Sequence, residues 1–114
     1  MIKKDSKIYV SGHSGLVGKA LLEQLEKQGY KNIIVRSHKD LDLLDQQAVN
    51  KFFQSETPEY VFHLAAKVGG IKGNATYPAD FLYENLMINT NVIHAAHENK
   101  VTKLVNFGSV CIYG

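Results

Sequence analysis

Short apolar runs alternate along the chain with longer segments in which apolar residues recur at helical spacing. The runs predict strands and the spaced segments predict helices. Strands are expected over residues 7–11, 32–36, 60–65 and 101–109, and helices over 16–28, from Asp45 onward, and over 79–99. This alternation is typical of a parallel sheet built from βαβ units. The sequence therefore predicts an α/β fold, a Rossmann-like doubly wound parallel sheet with strand order 2-1-3-4, or 3-2-1-4-5 if residues 39–42 add a short strand.

The apolar positions of each predicted helix indicate the face that it buries in the core or, for Phe81, Leu86 and Ile93 of the third helix, packs either in the core or against another helix. They are Val17, Leu21 and Leu25 on the first helix, Ala48, Val49, Phe52 and Phe53 on the second, and Phe81, Leu82, Leu86, Ile93 and Ala96 on the third. Gly29 is expected to end the first helix. His63, inside the third apolar run, is expected to be a core histidine with satisfied hydrogen bonds. His94 and His97 are expected at the surface, and no metal site is predicted, because no cysteine or carboxylate joins them at metal-ligand spacing.

Three glycines follow the first predicted strand at intervals of three residues. Gly12 lets the turn close, Gly15 leaves space for a phosphate, and Gly18 lets the new helix pack tightly on the sheet. A tight turn without a ligand is the alternative interpretation of this spacing. Because strand, turn and helix come in the required order, the sequence predicts a dinucleotide site at Gly12-His13-Ser14-Gly15-Leu16-Val17-Gly18.

Composition limits the size of the fold and the kind of partner. The chain has 114 residues, 45% of them hydrophobic, which suffices for one modest core and so for one domain over residues 1–114. A net charge of +2, from 13 basic and 11 acidic side chains, is too small to favour a nucleic acid or a membrane as partner. The single cysteine, Cys111, cannot form an internal disulfide, and the residues before the first predicted strand lack the long apolar segment of a secretory signal, so a cytoplasmic location is expected.

The end of the second predicted strand indicates the choice of cofactor. The carboxyl ends of parallel strands share one edge of the sheet, so Arg36 is expected near Gly12, Ala65-Ala66 and Ser109. A ribose 2′-hydroxyl is usually held by Asp or Glu, whereas a 2′-phosphate needs cationic donors. No acidic residue stands at this strand end, and Arg36 is followed by polar and basic residues. The sequence therefore predicts NADP(H), with Arg36 facing its 2′-phosphate.

Several segments together resemble a known superfamily, the extended short-chain dehydrogenases/reductases. They are the glycine turn, Asp42-Leu43-Leu44-Asp45, Val61-Phe62-His63-Leu64-Ala65-Ala66, and Gly108-Ser109 with Ile112-Tyr113-Gly114. Within that superfamily the GDP-L-fucose synthase family is similar in Ala65-Ala66-Lys67-Val68-Gly69-Gly70-Ile71, Tyr77-Pro78-Ala79-Asp80-Phe81, and Ser109 with Cys111-Ile112-Tyr113. The resemblance implies an NADPH-dependent 3,5-epimerase and 4-reductase that acts on a GDP-sugar, GDP-4-keto-6-deoxymannose.

The resemblance also implies a role for individual residues. Asp42 accepts a hydrogen bond from the adenine amino group, with the Leu43 backbone beside it. Ser109 polarises the C4 carbonyl of the sugar, and Cys111 exchanges protons at C3 and C5, although a buried, chemically inert cysteine is the alternative. The other implied cofactor contacts are His13, Ser14, Leu16, Val17, His38, Leu64, Ala65, Ala66 and Gly108.

One expected motif of these reductases is missing from the 114 residues. No tyrosine has a lysine four residues later, although the superfamily protonates the reduced oxygen through such a pair. The chain is therefore expected to be an NADP-binding domain that is incomplete at its carboxyl end, the first third of an enzyme and inactive alone. The resemblance implies a homodimer through helix 79–99. Another nucleotide-sugar epimerase or dehydratase, and a non-catalytic dinucleotide-binding fragment, are the alternatives.

Overall fold

The structure, a computed structural model, describes residues 3–64 and 78–106. Within these ranges four strands form one parallel sheet, and three helices connect them. The strands are β1 (Ile8–Ser11), β2 (Ile33–Ile34), β3 (Tyr60–His63) and β4 (Lys103–Asn106), and the helices are α1 (Leu16–Lys27), α2 (Gln46–Glu56) and α3 (Pro78–Glu98). The order β2-β1-β3-β4 confirms the predicted doubly wound sheet, since residues 39–42 form a turn and coil rather than a further strand.

The edge strand β2 is shorter than the sequence predicts. It pairs with β1 only at Ile33 and Ile34, whose partners are Ile8 and Tyr9. The chain then leaves the sheet and enters a turn in which the backbone N–H groups of residues 40 and 41 donate to the Ser37 carbonyl. Residues 35 and 36 consequently lie beyond the strand, where the side chain of residue 36 is not fixed by the ladder.

Two hydrophobic clusters cover the two faces of the sheet because successive strand residues point to opposite sides. On one face Tyr9 and Val61 pack against Val49 and Phe53 of α2 and Val92 of α3. The ring centroids of Tyr9 and Phe53 are 5.8 Å apart in an edge-to-face arrangement, which is favourable for aromatic pairs. The other face packs on α1 and has Ile8, Val10 and Leu25 at its centre.

The predicted helix ends at Asp45 and Gly29 are confirmed. The Asp45 carboxylate accepts a hydrogen bond of 3.2 Å from the backbone N–H of Ala48, and so caps α2. Gly29 has a φ of 92° directly after α1, a conformation that favours glycine. None of the helices in the described ranges is both long enough and apolar enough to cross a membrane.

Val17 is not in the core as predicted, and Leu86 and Ile93, predicted as core or helix-packing residues, are not in the core of this chain either. Val17 is 58% exposed on α1, and Leu86 and Ile93 are 52% and 44% exposed on α3. Helix α3 packs on the sheet through a different stripe, which contains Ile88, Val92, Ala95 and Ala96 together with the buried amides Asn85 and Asn91. Ala96 is thus buried as predicted, whereas the side chains of Phe81 and Leu82 lie outside the described part. The second apolar stripe of α3 faces away from this core.

Candidate functional site

The glycine turn after β1 is as tight as the spacing predicts. Gly12 has a backbone φ of 76°, a conformation that residues with a side chain rarely adopt. A Cβ on the buried Gly18 would lie 2.1 Å from the Gly12 carbonyl oxygen and 2.8 Å from the Cα of His13. No side chain fits there, because both neighbours are backbone atoms. Gly18 therefore packs the start of α1 against the turn itself.

Gly15 is a different case, because the described part of the chain leaves room for a side chain. Among residues 3–64 and 78–106, a Cβ there would meet only the Gly12 carbonyl oxygen, at an ordinary contact distance of 3.6 Å. Gly15 caps α1 without a side-chain hydrogen bond, and the first turn of α1 carries no acidic residue. The first N–H groups of a helix lack acceptors within the helix and attract anions. With Ser14 exposed and Leu16 88% exposed beside it, this open end fits the diphosphate of a dinucleotide.

The segment before α2 presents an exposed carboxylate on a buried support. Asp42 is exposed, and its Oδ1 accepts a 3.0 Å hydrogen bond from the backbone N–H of Leu44. The neighbouring Leu43 side chain is buried, and the amide Nδ2 of Asn91 donates a 2.9 Å hydrogen bond to the Leu43 carbonyl. Asn91 is not among the residues that the sequence pattern indicates, although an asparagine among buried positions of a helix signals such a contact. The hydrogen bond from Asn91 fixes the position of the backbone segment that contains Asp42 and Leu43.

Arg36 lies near the edge where it was expected, but its guanidinium is already engaged. Nη1 donates to the Val35 carbonyl at 2.9 Å, and Nη2 donates to Oε2 of Glu56 at 3.1 Å. The guanidinium also lies 5.3 Å from the ring centroid of Phe52. The guanidinium thus has an acidic partner that the sequence pattern did not indicate, because Glu56 comes from the far end of α2. The neighbouring His38 is exposed.

A buried polar chain joins the ends of the two central strands. The Leu64 N–H donates to Ser11 Oγ at 3.0 Å, and Ser11 Oγ lies 2.6 Å from His63 Nδ1. His63 Nε2 lies 2.8 Å from Oδ1 of Asn89, which accepts only, so Nε2 carries the proton and Nδ1 accepts from Ser11. Burial lowers the pKa of the His63 imidazole, and the hydrogen bond to Asn89 acts in the opposite direction. The prediction of a satisfied core histidine is confirmed.

The remaining candidate residues lie outside the described ranges. They are Ala65, Ala66, Gly108, Ser109 and Cys111, so the roles implied for them stay predictions. Among residues 3–64 and 78–106 no group of three or more histidine, cysteine or carboxylate side chains is placed to hold a metal ion. His94 and His97 are both exposed, as expected.

Comparison with known proteins agrees with the arrangement of strand, glycine turn and helix. Residues 8–114 match the model of the NAD dependent epimerase/dehydratase family. The chain belongs to this family. The match begins at β1 and includes the glycine turn, so the open end of α1 corresponds to a part of the fold that the family shares.

Individual relatives narrow the resemblance within the family. GDP-L-fucose synthase 1 of Arabidopsis thaliana is 53% identical over 113 residues, which are 99% of this chain and 35% of that enzyme. GDP-L-fucose synthase of Escherichia coli is 51% identical over 107 residues, 94% of this chain and 33% of that enzyme. The structure of a GDP-mannoheptose C4 reductase from Campylobacter jejuni with NADP bound is 49% identical, with a TM-score of 0.88, over 93% of this chain and 33% of the other. The chain thus spans about a third of the curated relatives' length.

Proposed function

We propose that this chain forms the NADP(H)-binding part of an enzyme of the GDP-L-fucose synthase type. The observation that carries the proposal is the start of α1, where Gly15 leaves space that no described residue fills and the helix end has no side-chain cap. The relatives that are half identical to the chain are named as GDP-L-fucose synthases. In this role the turn from Gly12 to Gly18 holds the diphosphate, and Asp42 contacts the adenine.

The proposed cofactor is NADP(H) rather than NAD(H). Arg36 and the exposed His38 are the polar groups near the end of β2 that suit a 2′-phosphate, and the structure of the Campylobacter jejuni relative contains NADP. When bound, NADPH supplies the hydride that reduces a ketone. The chain's own contribution to this step is to hold the adenosine and the phosphates through α1 and the segment at Asp42.

The proposed reaction is the 3,5-epimerisation and 4-reduction of GDP-4-keto-6-deoxymannose. Ser109 is proposed to donate a hydrogen bond to the C4 carbonyl oxygen, and Cys111 to exchange protons at C3 and C5. A carbonyl makes the adjacent C–H groups acidic, and a thiol with a pKa near neutrality suits this transfer. The proton donor for the reduced oxygen is not supplied by a Tyr-x-x-x-Lys pair within these 114 residues, so we propose that the chain alone does not turn over substrate.

A second candidate is the C4 reduction of another GDP-linked sugar. The relative named as a GDP-mannoheptose C4 reductase is nearly as similar to the chain, at 49% identity, as the Escherichia coli GDP-L-fucose synthase, at 51%. Both names imply a GDP-sugar, so the nucleotide and the cofactor are the common part of the two proposals. They differ in whether Cys111 acts as an acid and base before the reduction.

We also propose a cytoplasmic location for the protein, in keeping with its single cysteine.

We further propose a homodimer that forms through α3. The side chains of Tyr83, Leu86 and Ile93 are 64%, 52% and 44% exposed. Their spacing of three and seven residues places them on one side of the helix. A stripe of this kind suits the same helix of a second subunit.

A chimeric enzyme tests the proposed reaction. The chain would replace the matching first third of the Escherichia coli enzyme, and the product from GDP-4-keto-6-deoxymannose and NADPH would be identified. We expect GDP-L-fucose, loss of hydride transfer with Ser109→Ala, and loss of solvent-deuterium exchange at C3 and C5 with Cys111→Ser. A folded chimera that binds NADPH but gives no product contradicts the proposed reaction. Normal deuterium exchange with Cys111→Ser contradicts the role proposed for Cys111, whereas reduction without any exchange in the unmodified chimera favours the simple reductase.

A further inference from the structure

The contact between Arg36 and Glu56 connects opposite ends of the sheet. Arg36 follows β2, so its backbone lies toward the carboxyl ends of the strands, where α2 begins at Asp45. Glu56 is the last residue of α2, about 16 Å from Asp45 along the helix axis. It lies beside Lys7, which directly precedes β1. The guanidinium of Arg36 is therefore drawn back along α2, toward the amino ends of the strands.

This position is opposite to the one that a 2′-phosphate requires. The glycine turn and Asp42 lie at the carboxyl edge, so the adenosine of a dinucleotide bound there has its ribose at that edge. Glu56 offers the guanidinium a full negative charge at 3.1 Å, and Phe52 offers a ring face. The 2′-phosphate has to compete with both Glu56 and Phe52 before the Arg36 guanidinium can bind it.

Lys7 makes the exchange of partners feasible. Its Nζ lies 3.3 Å from Oε1 of Glu56 and donates at 2.8 Å to the Glu56 carbonyl. When the Arg36 guanidinium departs, Glu56 keeps one cation, so no isolated carboxylate is left behind. The Arg36 and Glu56 side chains are 34% and 28% exposed, which keeps the ion pair weak enough to exchange.

We propose that Glu56 is a positioning residue for cofactor selectivity, which holds the Arg36 guanidinium away from the 2′-phosphate position until NADP(H) binds. The apparent dissociation constant of NADPH is then the intrinsic constant divided by the fraction of molecules in which Arg36 is released. A smaller released fraction therefore means weaker binding of NADPH. The affinity for NADH, which has no 2′-phosphate, does not depend on this fraction. The inference rests on the proposed binding of NADP(H) and adds a residue at the opposite edge of the sheet that tunes it.

The test measures the dissociation constants of NADPH and NADH for the 114-residue chain and its variants by calorimetry. With Glu56→Gln we expect NADPH to bind roughly two- to fivefold more tightly, the range of an exposed ion pair, and NADH to bind unchanged. With Lys7→Met, Glu56 keeps Arg36 as its only cation among the contacts described above, so NADPH is expected to bind more weakly by a similar factor. If Glu56 had a purely structural role, its substitution would change the dissociation constants of NADPH and NADH by the same factor.

Matched controls separate this effect from a general change of charge. Glu59→Gln removes the same charge from the same edge, where the Glu59 carboxylate accepts from the Lys7 backbone N–H at 3.5 Å, and should leave the ratio of the two constants unchanged. In an Arg36→Ala background, Glu56→Gln should have no effect on either cofactor. If the Glu56→Gln variant does not fold, Glu56→Asp replaces it in the test. The shorter side chain should also release Arg36, so NADPH should again bind more tightly.

The outcomes distinguish this inference from the function on which it rests. Wild-type chain that prefers NADPH, combined with a Glu56→Gln chain of identical selectivity, overturns the role of Glu56 and leaves the proposed function intact. Weaker NADPH binding by Glu56→Gln also overturns it, because Glu56 then orients Arg36 toward the phosphate. A wild-type chain that binds neither cofactor overturns the proposed function and this inference together.

Discussion

The imidazole of His63 and the hydroxyl of Ser11 meet at the last residues of the two central strands, where Nδ1 and Oγ are 2.6 Å apart. The two residues are also partners in the register of β1 and β3. The same hydroxyl accepts from the backbone N–H of Leu64, directly after β3. The point at which both strands leave the sheet is therefore held by hydrogen bonds to one serine hydroxyl, beside a buried imidazole.

This arrangement makes the stability of the chain dependent on pH. Burial lowers the pKa of His63 from its ordinary value of 6.5, so the unfolded chain binds a proton at a higher pH than the folded chain does. As far as His63 contributes, stability should thus be constant above about pH 7.5 and fall by at most about 1.4 kcal/mol per pH unit as the pH drops through 6.5. Urea unfolding measures it. His63→Gln should flatten this slope and the exposed His94→Gln should not, whereas equal slopes in all three chains contradict the assignment.

Substitutions at two positions of the glycine turn should have different effects, a loss of stability at Gly18 and a loss of cofactor binding at Gly15. Gly18→Ala should destabilise the fold by at least about 2 kcal/mol, because its Cβ would lie 2.1 Å from a backbone oxygen. Gly15→Ala should cost less than about 1 kcal/mol, and Gly15→Val should abolish dinucleotide binding by filling the open space while the chain still folds. Thermal unfolding and cofactor titration on the same samples separate the two effects. A Gly15→Val chain that binds NADPH normally contradicts the phosphate site.

The exposed stripe on α3 predicts how the chain associates. Leu86 is 52% exposed near the middle of the stripe, and Leu86→Lys should reduce the mass measured by light scattering from that of a dimer to that of a monomer. Gln54→Lys, on the exposed side of α2, adds the same charge elsewhere and should leave the dimer intact. A wild-type chain that is monomeric at concentrations of about 100 μM, well above typical interface dissociation constants, contradicts the proposed interface.

The order of elements and the sheet topology were predictable because they depend on local patterns. Strands and helices alternate, right-handed crossovers restrict the strand order, and Asp45 and Gly29 act on backbone groups within a few residues. The glycine turn was predictable for the same reason. Gly18 meets Gly12 and His13, so all the atoms involved come from one short segment.

The contacts that connect distant parts of the chain were not predictable in this way. Arg36 and Glu56 are 20 residues apart, and nothing in either neighbourhood indicates that the two side chains meet. Helical spacing also marks two apolar stripes on α3, and it does not say which one the chain buries. For this reason the pattern left Ile93 as either a core or a helix-packing residue, whereas the buried stripe includes the amide of Asn91, which a hydrophobic pattern does not detect.

The most direct test of the account is the affinity of the chain for NADPH and for NADH, measured by calorimetry with and without Arg36→Ala. The wild-type chain should bind NADPH more tightly. Arg36→Ala should remove about 1–3 kcal/mol of NADPH binding, the usual value of charge-assisted hydrogen bonds, and leave NADH binding nearly unchanged. Equal dissociation constants of the wild-type chain for the two cofactors would contradict the account.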